Sequence, residues 1–332
     1  MSEFDLIRRH LAPLAANAPG AFELTDDAAL IDSAADVIAA DALVAGVHFL
    51  ETDPYDLVAR KALRVNLSDL AAMGAKPVAY LLTCVWPKGA GAAAVQSFCE
   101  GLEADQAAYK VSLIGGDTTA HRIAQGPFTV SLTMLGVSPK GGVLRRNGAA
   151  IGDDVYVTGS IGDAGLGLAA VRDESLLDAK QINAVHREYL IGRYRLPEPR
   201  LSFGGALAGL ASAVIDVSDG LLADAGHIAS ESDVSMQLSL DRLPVSGAAA
   251  DWVRAASDER AAAALLTTFG DDYELLFTAA PTRRRAVEMA GRATKTPVTK
   301  IGVVAKGEGV AVVDADGAPV STDRQGFDHF SG

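Results

Sequence analysis

Cysteine is scarce in this chain, and its scarcity excludes two classes of architecture. Only two cysteines, Cys84 and Cys99, occur among 332 residues. Two thiols so placed supply neither a disulfide framework nor the paired spacing of a structural zinc site. We therefore expect a protein of the reducing cytoplasm, in which both cysteines are packing residues.

Long apolar runs and positive charge are also lacking. The first residues include Glu3, Arg8 and Arg9 and form no apolar segment typical of a signal peptide. The uncharged run from Leu201 to Ile215 is shorter than the roughly 20 residues that span a bilayer. Lysine and arginine number 29 against 42 acidic residues, a net charge of −13. We therefore expect no membrane segment and no nucleic-acid partner.

The common signatures of phosphate and acyl chemistry are missing too. The sequence has no Gly-x4-Gly-Lys-Ser/Thr loop, no protein-kinase set and no Gly-x-Ser-x-Gly elbow. Any phosphate chemistry must therefore use bound metals and backbone amides.

Strand-like and helix-like segments interleave along the whole chain, which predicts a mixed α/β protein long enough for two domains. The Gly/Pro-rich stretch from Ser138 to Gly152 is the predicted boundary, giving domains 1–140 and 141–332. We predict an opening helix over 3–17, and a long helix over 55–73 between Pro54 and Gly74.

The aspartates of this sequence form a distinctive pattern, because several lie between apolar runs. Carboxylates at about 4 Å repel by roughly 4 kcal/mol per pair at an effective dielectric near 20. A fold that converged several would need divalent cations, which are commonly shared with phosphates. Seven aspartates are predicted in short turns between apolar runs: Asp27, Asp41, Asp69, Asp117, Asp216, Asp219 and Asp271.

Each motif also has a purely structural interpretation. The Gly115–Thr119 segment could bring backbone close to a phosphate, with Asp117 at a strand end as a cation ligand, or it could be a capped turn. Asp216 and Asp219 flank a predicted strand-to-helix turn, where helix capping explains only one acid. His48 is either a ligand or a satisfied structural histidine. The pair Arg145–Arg146 is either a phosphate clamp or a solvated pair.

Several segments together resemble the thiamine-monophosphate kinase family, from about Phe4 to Phe330. Any one of them alone would be weak, whereas the set is specific. The segments are Asp26–Ala29, Asp41–Phe49, Lys61–Ala75, Gly115–Thr119, Arg146–Ala149, Val157–Gly159, Ile215–Leu221, Asp272–Leu275 and Gly326–Phe330.

The resemblance implies a two-domain fold like that of aminoimidazole ribonucleotide synthetase, each domain a mixed sheet with flanking helices. The N-terminal domain would bind metal and ATP and form a homodimer. The implied activity is ATP-dependent phosphorylation of thiamine monophosphate to thiamine diphosphate, a phosphotransfer to a phosphate acceptor. It also implies several bound Mg²⁺ ions, and it is compatible with an additional monovalent cation.

The resemblance also implies site roles, with Asp69, Asp117 and Arg146 closest to the chemistry. The Mg²⁺ ligands would be Asp27, Asp41, Asp69, Asp117, Asp216 and Asp219. The ATP contacts would be Tyr109, Gly116, Asp117, Arg146 and Ser218. The contacts to thiamine phosphate would be His48, Asp271 and Phe327.

Three positions depart from the family pattern. Thr25 replaces a glycine, and Ala39–Ala40 replaces a Ser-Thr pair, so any hydroxyl ligand is lost there. Asp271 replaces a glutamate and is one methylene shorter.

Two other enzyme hypotheses and one non-enzymatic hypothesis remain open at this stage. An ATP-dependent synthetase of the same fold would activate an amide oxygen. A selenophosphate-type enzyme would need a reactive cysteine near the N-terminus, and none precedes Cys84. A structural cation-binding module would be stabilised by Mg²⁺ but not further by ATP.

Overall fold

The computed structural model describes residues 7–17, 35–172, 182–322 and 326. The chain divides into two compact units: an N-terminal unit of residues 1–70 and 75–138, and a C-terminal unit of residues 71–74 and 139–332. The family resemblance implied mixed sheets with flanking helices, and each unit has this architecture.

The N-terminal unit contains one four-stranded sheet and two long helices. Its elements are β1 (Val37–Val44), α1 (Tyr55–Ala72), β2 (Lys76–Trp86), α2 (Ala92–Tyr109), β3 (Ser112–Ala120) and β4 (Thr129–Val137). The strand order is β1-β4-β2-β3, in which β2 runs parallel to β3 and antiparallel to β4.

Helix α1 confirms the predicted long helix. Leu63, Leu67 and Leu70 are fully buried, and their spacing forms the apolar stripe of an amphipathic helix. The helix ends where the N–H of Ala75 donates to the carbonyl of Leu70 over 2.8 Å and that of Gly74 to Ala71 over 3.0 Å.

The two helices cover one face of this sheet. On that face the Tyr80 hydroxyl donates to Gln106 of α2 over 3.1 Å, and the Trp86 ring lies 5.5 Å from the Phe98 ring. Since side chains alternate along a strand, the neighbouring residues point to the outer face. There Ile38 is 67% exposed.

The C-terminal unit has a six-stranded sheet with order β10-β7-β9-β5-β8-β6. Its strands are β5 (Asp154–Thr158), β6 (Ala213–Asp216), β7 (Ser235–Ser239), β8 (Leu275–Ala279), β9 (Val298–Ala305) and β10 (Gly309–Val313). Its helices are α3 (Asp163–Val171), α4 (Ala184–Arg195), α5 (Leu201–Ala206), α6 (Leu221–Glu231), α7 (Gly247–Ala255), α8 (Glu259–Leu266) and α9 (Arg284–Thr294).

Both faces of this second sheet are covered. Val155 and Val157 belong to one apolar cluster, whereas Tyr156 between them belongs to another, where it stacks on Phe277 at 5.1 Å. This alternation follows the two-residue period of a strand, and it makes β5 buried along its whole length.

The opening segment differs from the predicted helix. Within the described residues 7–17 the chain forms a π-helical turn, Ile7–Leu11, and a short 3₁₀ helix, Ala12–Ala15. Pro13 lacks a backbone N–H, so it cannot continue an α-helical ladder begun upstream.

Both cysteines are unpaired and buried. Burial raises the pKa of the Cys99 thiol to about 12, and burial raises the pKa of Cys84 further. None of the described helices is both long and apolar enough to cross a lipid bilayer.

Candidate functional site

Asp41 and Asp69 lie on elements that the fold joins directly. The backbone N–H of Asp41 donates to the Oδ1 of Asn66 over 3.1 Å, and the Nδ2 of Asn66 donates to the carbonyl of Ala62 over 2.9 Å. Asn66 is fully buried, and Asp69 follows it by one helical turn. The prediction of a turn was wrong for Asp41, which lies within β1. Asp69 lies within α1, the helix that was predicted over 55–73.

Asp117 lies in a strand and not after one, contrary to our prediction. Residues Gly115–Thr119 all belong to β3 and pair with β2. Gly116 has a φ of +149°, and a Cβ there would lie 1.7 Å from the carbonyl oxygen of Leu82. Only glycine allows this close approach, so the Gly-Gly pair permits strand pairing.

The strand register places Asp117 and Asp41 on opposite faces of the sheet. Thr118 accepts the indole N–H of Trp86 over 3.0 Å on the helix-covered face, so its neighbour Asp117 points to the outer face. Asp41 pairs with Leu132, whose side chain is buried. Taken by itself, the N-terminal unit thus brings Asp41 and Asp69 to one side and leaves Asp117 exposed on the other.

His48 is held by one hydrogen bond to its side chain and one to its own backbone carbonyl. The N–H of Val44 donates to the Nδ1 of His48 over 3.1 Å, while the ammonium of Lys61 donates to the His48 carbonyl over 3.0 Å. Lys61 is 2% exposed. Because Nδ1 accepts a hydrogen bond, the neutral imidazole carries its proton on Nε2, which is a donor.

Tyr109, a predicted ATP contact, is the last residue of α2. The Arg64 guanidinium lies 5.6 Å from the centroid of its ring. Arg64 is itself held by buried Asp105, at 2.6 Å. The Tyr109 ring is therefore fixed against the junction of α1 and α2.

Acidic groups converge at the start of α6 in the C-terminal unit. Asp216 is 5% exposed at the end of β6. The N–H groups of Asp219 and Gly220 both donate to Oδ2 of Asp224, each over 3.2 Å. Burial, followed by the charges of Asp216 and Asp219, raises the pKa of Asp224 to about 8.

A candidate cation site lies in this cluster. Ligand atoms of Asp219, Asp224 and His227 all lie within 4.8 Å of one another. The two carboxylates suit a divalent cation that takes oxygen ligands, whereas the imidazole is a ligand that transition metals favour. Beside burial, the charges of Asp216 and Asp219 help to raise the pKa of Asp224, and a bound cation would relieve that repulsion, so the carboxylates fit Mg²⁺.

Asp224 and His227 are residues that sequence reasoning missed. They are separated by three positions on α6, so both point from one side of the helix. The spacing Asp219-x4-Asp224-x2-His227 is the signal in the sequence that identifies them.

Asp271 and Ser218 lie on two loops joined by backbone hydrogen bonds. The N–H of Asp271 donates to the carbonyl of Ser218, and the N–H of Tyr273 to that of Val217, each over 2.8 Å. A Cβ at Gly270 would lie 2.4 Å from the Ser218 carbonyl oxygen. The predicted ATP contact and the predicted substrate contact therefore belong to one structural unit.

Arg146 lies on an exposed segment that Ser232 holds. The Ser232 hydroxyl accepts the N–H groups of Gly148 and Ala149 over 3.1 and 3.2 Å. Among the described residues no carboxylate pairs with the Arg146 guanidinium, which leaves a cationic group on a fixed backbone. Asp27 and Phe327, the two remaining predicted site residues, lie outside the described residues.

Comparison with known proteins gives a consistent result. Residues 25–138 match the family model of the AIR synthase related protein, N-terminal domain, and residues 150–315 that of the C-terminal domain. A thiamine-monophosphate kinase of Caulobacter vibrioides is 42% identical over 331 residues, which is 99% of this chain and 91% of the relative.

Solved structures agree with these matches. The thiamine-monophosphate kinase of Stenotrophomonas maltophilia K279a is 39% identical with a TM-score of 0.81, over 96% of this chain and 98% of that one. AaThiL, solved in complex with AMPPCP and TMP, is 28% identical with a TM-score of 0.75, over 99% and 97%. The chain therefore belongs to the thiamine-monophosphate kinase family and has the two-domain architecture of AIR synthase related proteins.

Proposed function

We propose that this chain transfers the γ-phosphoryl group of ATP to the phosphate of thiamine monophosphate, giving thiamine diphosphate and ADP. The observation that carries this proposal is the likeness, over nearly the whole chain, to AaThiL, which was solved with an ATP analogue and TMP. The 42% identity to a curated thiamine-monophosphate kinase supports it.

The transfer would be direct and in line. A phosphate oxygen of thiamine monophosphate attacks the γ-phosphorus, and the bond from that phosphorus to the bridging oxygen of ADP breaks. Because the acceptor is already an anion, no strong general base is needed. The barrier is instead repulsion between two polyanions, so positioning and charge neutralisation supply the catalysis.

Bound Mg²⁺ would screen that repulsion and bridge the phosphates. In the N-terminal unit Asn66, one helical turn before Asp69, binds the backbone of Asp41, and in the C-terminal unit ligand atoms of Asp219 and Asp224 lie within 4.8 Å of one another. We propose that these Mg²⁺ ions are held in the N-terminal unit by Asp27, Asp41, Asp69 and Asp117, and in the C-terminal unit by Asp216 and Asp219. Arg146, on its exposed segment, would add positive charge at the phosphates.

The remaining contacts are those that the family resemblance implies. The Nε2–H of His48 would donate to the substrate phosphate, and Asp271 and Phe327 would contact the thiamine portion. Gly116, Ser218 and Tyr109 would line the ATP site. A monovalent cation and a cytoplasmic location remain predictions.

A homodimer formed through the N-terminal unit is also proposed. The outer face of its sheet exposes Ile38 by 67% and Leu81 by 38%. Apolar side chains on an open sheet face are typical of surfaces that a second copy covers.

The decisive test is to incubate the purified protein with Mg-ATP and thiamine monophosphate and to separate the products by chromatography. Thiamine diphosphate and ADP in equal amounts are expected. Asp69→Asn and Asp117→Asn should lower kcat strongly, whereas Glu103→Gln, an exposed acid on α2, should not. Phosphate release with no thiamine diphosphate would favour the synthetase hypothesis. Thermal stabilisation by Mg²⁺ without any turnover would favour the structural module.

A further inference from the structure

The loop Gly270–Tyr273 holds its backbone in an unfavourable conformation. Asp271 has a φ of +68° and Tyr273 a φ of +50°. Residues with a Cβ seldom adopt such angles, and they do so where surrounding contacts hold them. Between the two lies Asp272, which is 1% exposed. Two strained residues around one buried carboxylate point to a loop whose shape is imposed from outside.

The Asp272 carboxylate supplies one part of that restraint. It accepts the backbone N–H of Gly162 over 2.6 Å and that of Ala164 over 3.1 Å, at the start of α3. The side chain of Asp163 is used elsewhere: it accepts the hydroxyls of Ser160 and Ser246 over 2.5 and 2.6 Å. Asp272 therefore satisfies the first amides of a helix that is more than a hundred residues earlier in the chain.

Glu274 supplies the second part. This residue is fully buried and accepts the Thr158 hydroxyl over 2.7 Å. Arg200 contacts both of its oxygens over 2.6 Å, and Arg193 contacts Oε1 over 2.9 Å. Arg193 also donates to the carbonyl of Asp272 over 3.3 Å. A single network thus fixes both residues.

Asp271 differs from its two acidic neighbours. Its side chain is only partly buried, and its N–H is held by the Ser218 carbonyl. The carboxylates of Asp272 and Glu274 are consumed by internal contacts and cannot reach a ligand. Of the three acids, Asp271 is the one whose side chain is partly accessible to solvent.

We propose that Asp272 and Glu274 are positioning residues, whose buried carboxylates hold the strained loop so that Asp271 is presented to thiamine monophosphate beside Ser218. The proposal rests on the proposed function and names two residues that act through a third. The competing explanation is that both acids stabilise the fold alone.

A double-mutant cycle separates the two explanations, since residues that act through one another give non-additive effects. The variants are Asp271→Asn, Asp272→Asn and their combination, with KM for thiamine monophosphate, kcat and thermal midpoint as measurements. Each single change should raise KM about tenfold, the size expected when one charged contact is lost. The combination should raise KM no further than Asp272→Asn does.

Asp154→Asn is the matched control. Asp154 is a 1% exposed, ion-paired acid of the same unit; its loss should lower the thermal midpoint and leave KM unchanged. If Asp272→Asn does not fold, Glu274→Gln takes its place in the cycle. Multiplying effects, about a hundredfold in the combination, would overturn the proposal, as would an unchanged KM beside a lowered midpoint. A wild-type protein that makes no thiamine diphosphate would instead refute the proposed function.

Discussion

Asn66 links the strand and the helix that carry two of the predicted metal ligands, since its carboxamide oxygen accepts the backbone N–H of Asp41 over 3.1 Å. Its amide nitrogen is satisfied by the Ala62 carbonyl, so both ends of a fully buried side chain are used. The contact fixes where β1 passes over α1, the helix that also carries Asp69.

Replacing Asn66 with leucine should therefore impair metal use as well as folding. Losing the two hydrogen bonds leaves the Asp41 amide unsatisfied, at a cost of about 1–3 kcal/mol in the free energy of unfolding. The Mg²⁺ concentration for half-maximal rate should rise, because Asp41 is no longer held. Gln106→Leu is the matched control, since Gln106 also bonds a side chain and a backbone amide, Tyr80 and Leu113. Gln106→Leu should lower the stability without changing the Mg²⁺ requirement. Equal Mg²⁺ requirements in the two variants would contradict a role of Asn66 in holding Asp41 for metal binding.

Removing Asp224 should weaken cation binding in the C-terminal unit. Asp224→Asn removes the negative charge from one of three groups whose ligand atoms lie within 4.8 Å of one another, and we expect the Mg²⁺ requirement to rise about 10–100-fold. Glu231→Gln, which changes an exposed acid at the other end of the same helix, should have no effect. Calorimetric titration with MgCl₂ in the absence of nucleotide measures the difference directly, and identical isotherms would exclude Asp224 as a ligand.

Two substitutions of His48 should behave differently. Because Nδ1 accepts the Val44 N–H, the nitrogen that serves as a donor is Nε2. Glutamine places an amide N–H near the Nε2 position, whereas asparagine places one near Nδ1. We expect His48→Asn to raise KM for thiamine monophosphate about tenfold, the loss of one hydrogen bond to a charged group, and His48→Gln to raise it less. The reverse order would show that the other ring nitrogen is used.

Asp154 should contribute stability that disappears in acid. Hydrogen bonds from Arg284 are the main cause that lowers the pKa of its carboxyl from 3.8 to about 2. A depressed folded-state pKa adds stability above the unfolded value, and that stability is lost as the pH falls from about 4 to about 2. Because Arg284 is 54% exposed, we expect only about 1 kcal/mol at neutral pH.

Denaturant unfolding of the wild type and Asp154→Asn between pH 7 and pH 2.5 measures this contribution. The difference in the free energy of unfolding between the wild type and Asp154→Asn should become smaller as the pH falls below about 4. Asp241→Asn, which alters an exposed acid of the same unit, should show no such difference. A difference that became larger in acid would show that the ionised Asp154 carboxylate does not stabilise the fold.

Local signals were sufficient where one strong pattern determined an element. Pro54 and Gly74 delimit α1. The apolar residues before Asp216 and the helix after Gly220 were likewise predicted from sequence. In each case the residues that form the element also carry the information about it.

Other features depend on partners distant in sequence. Gly115–Thr119 has the composition of a turn, and it is a strand only because Gly116 can lie against Leu82. The helices α7 and α8 are short and were not predicted, since their apolar faces are defined by packing against α3 and α4. From the sequence, Asp224 is an ordinary polar residue of an amphipathic helix. Its interaction with Asp216 depends on the fold, which brings the end of β6 beside α6.

The burial of both thiols has a practical consequence for labelling this enzyme. Cys84 and Cys99 are 3% and 7% exposed, and a protonated, enclosed sulfur reacts poorly with maleimides. The natural chain therefore gives a low labelling background without any cysteine being removed. A cysteine engineered at an exposed position of either unit could then be labelled selectively.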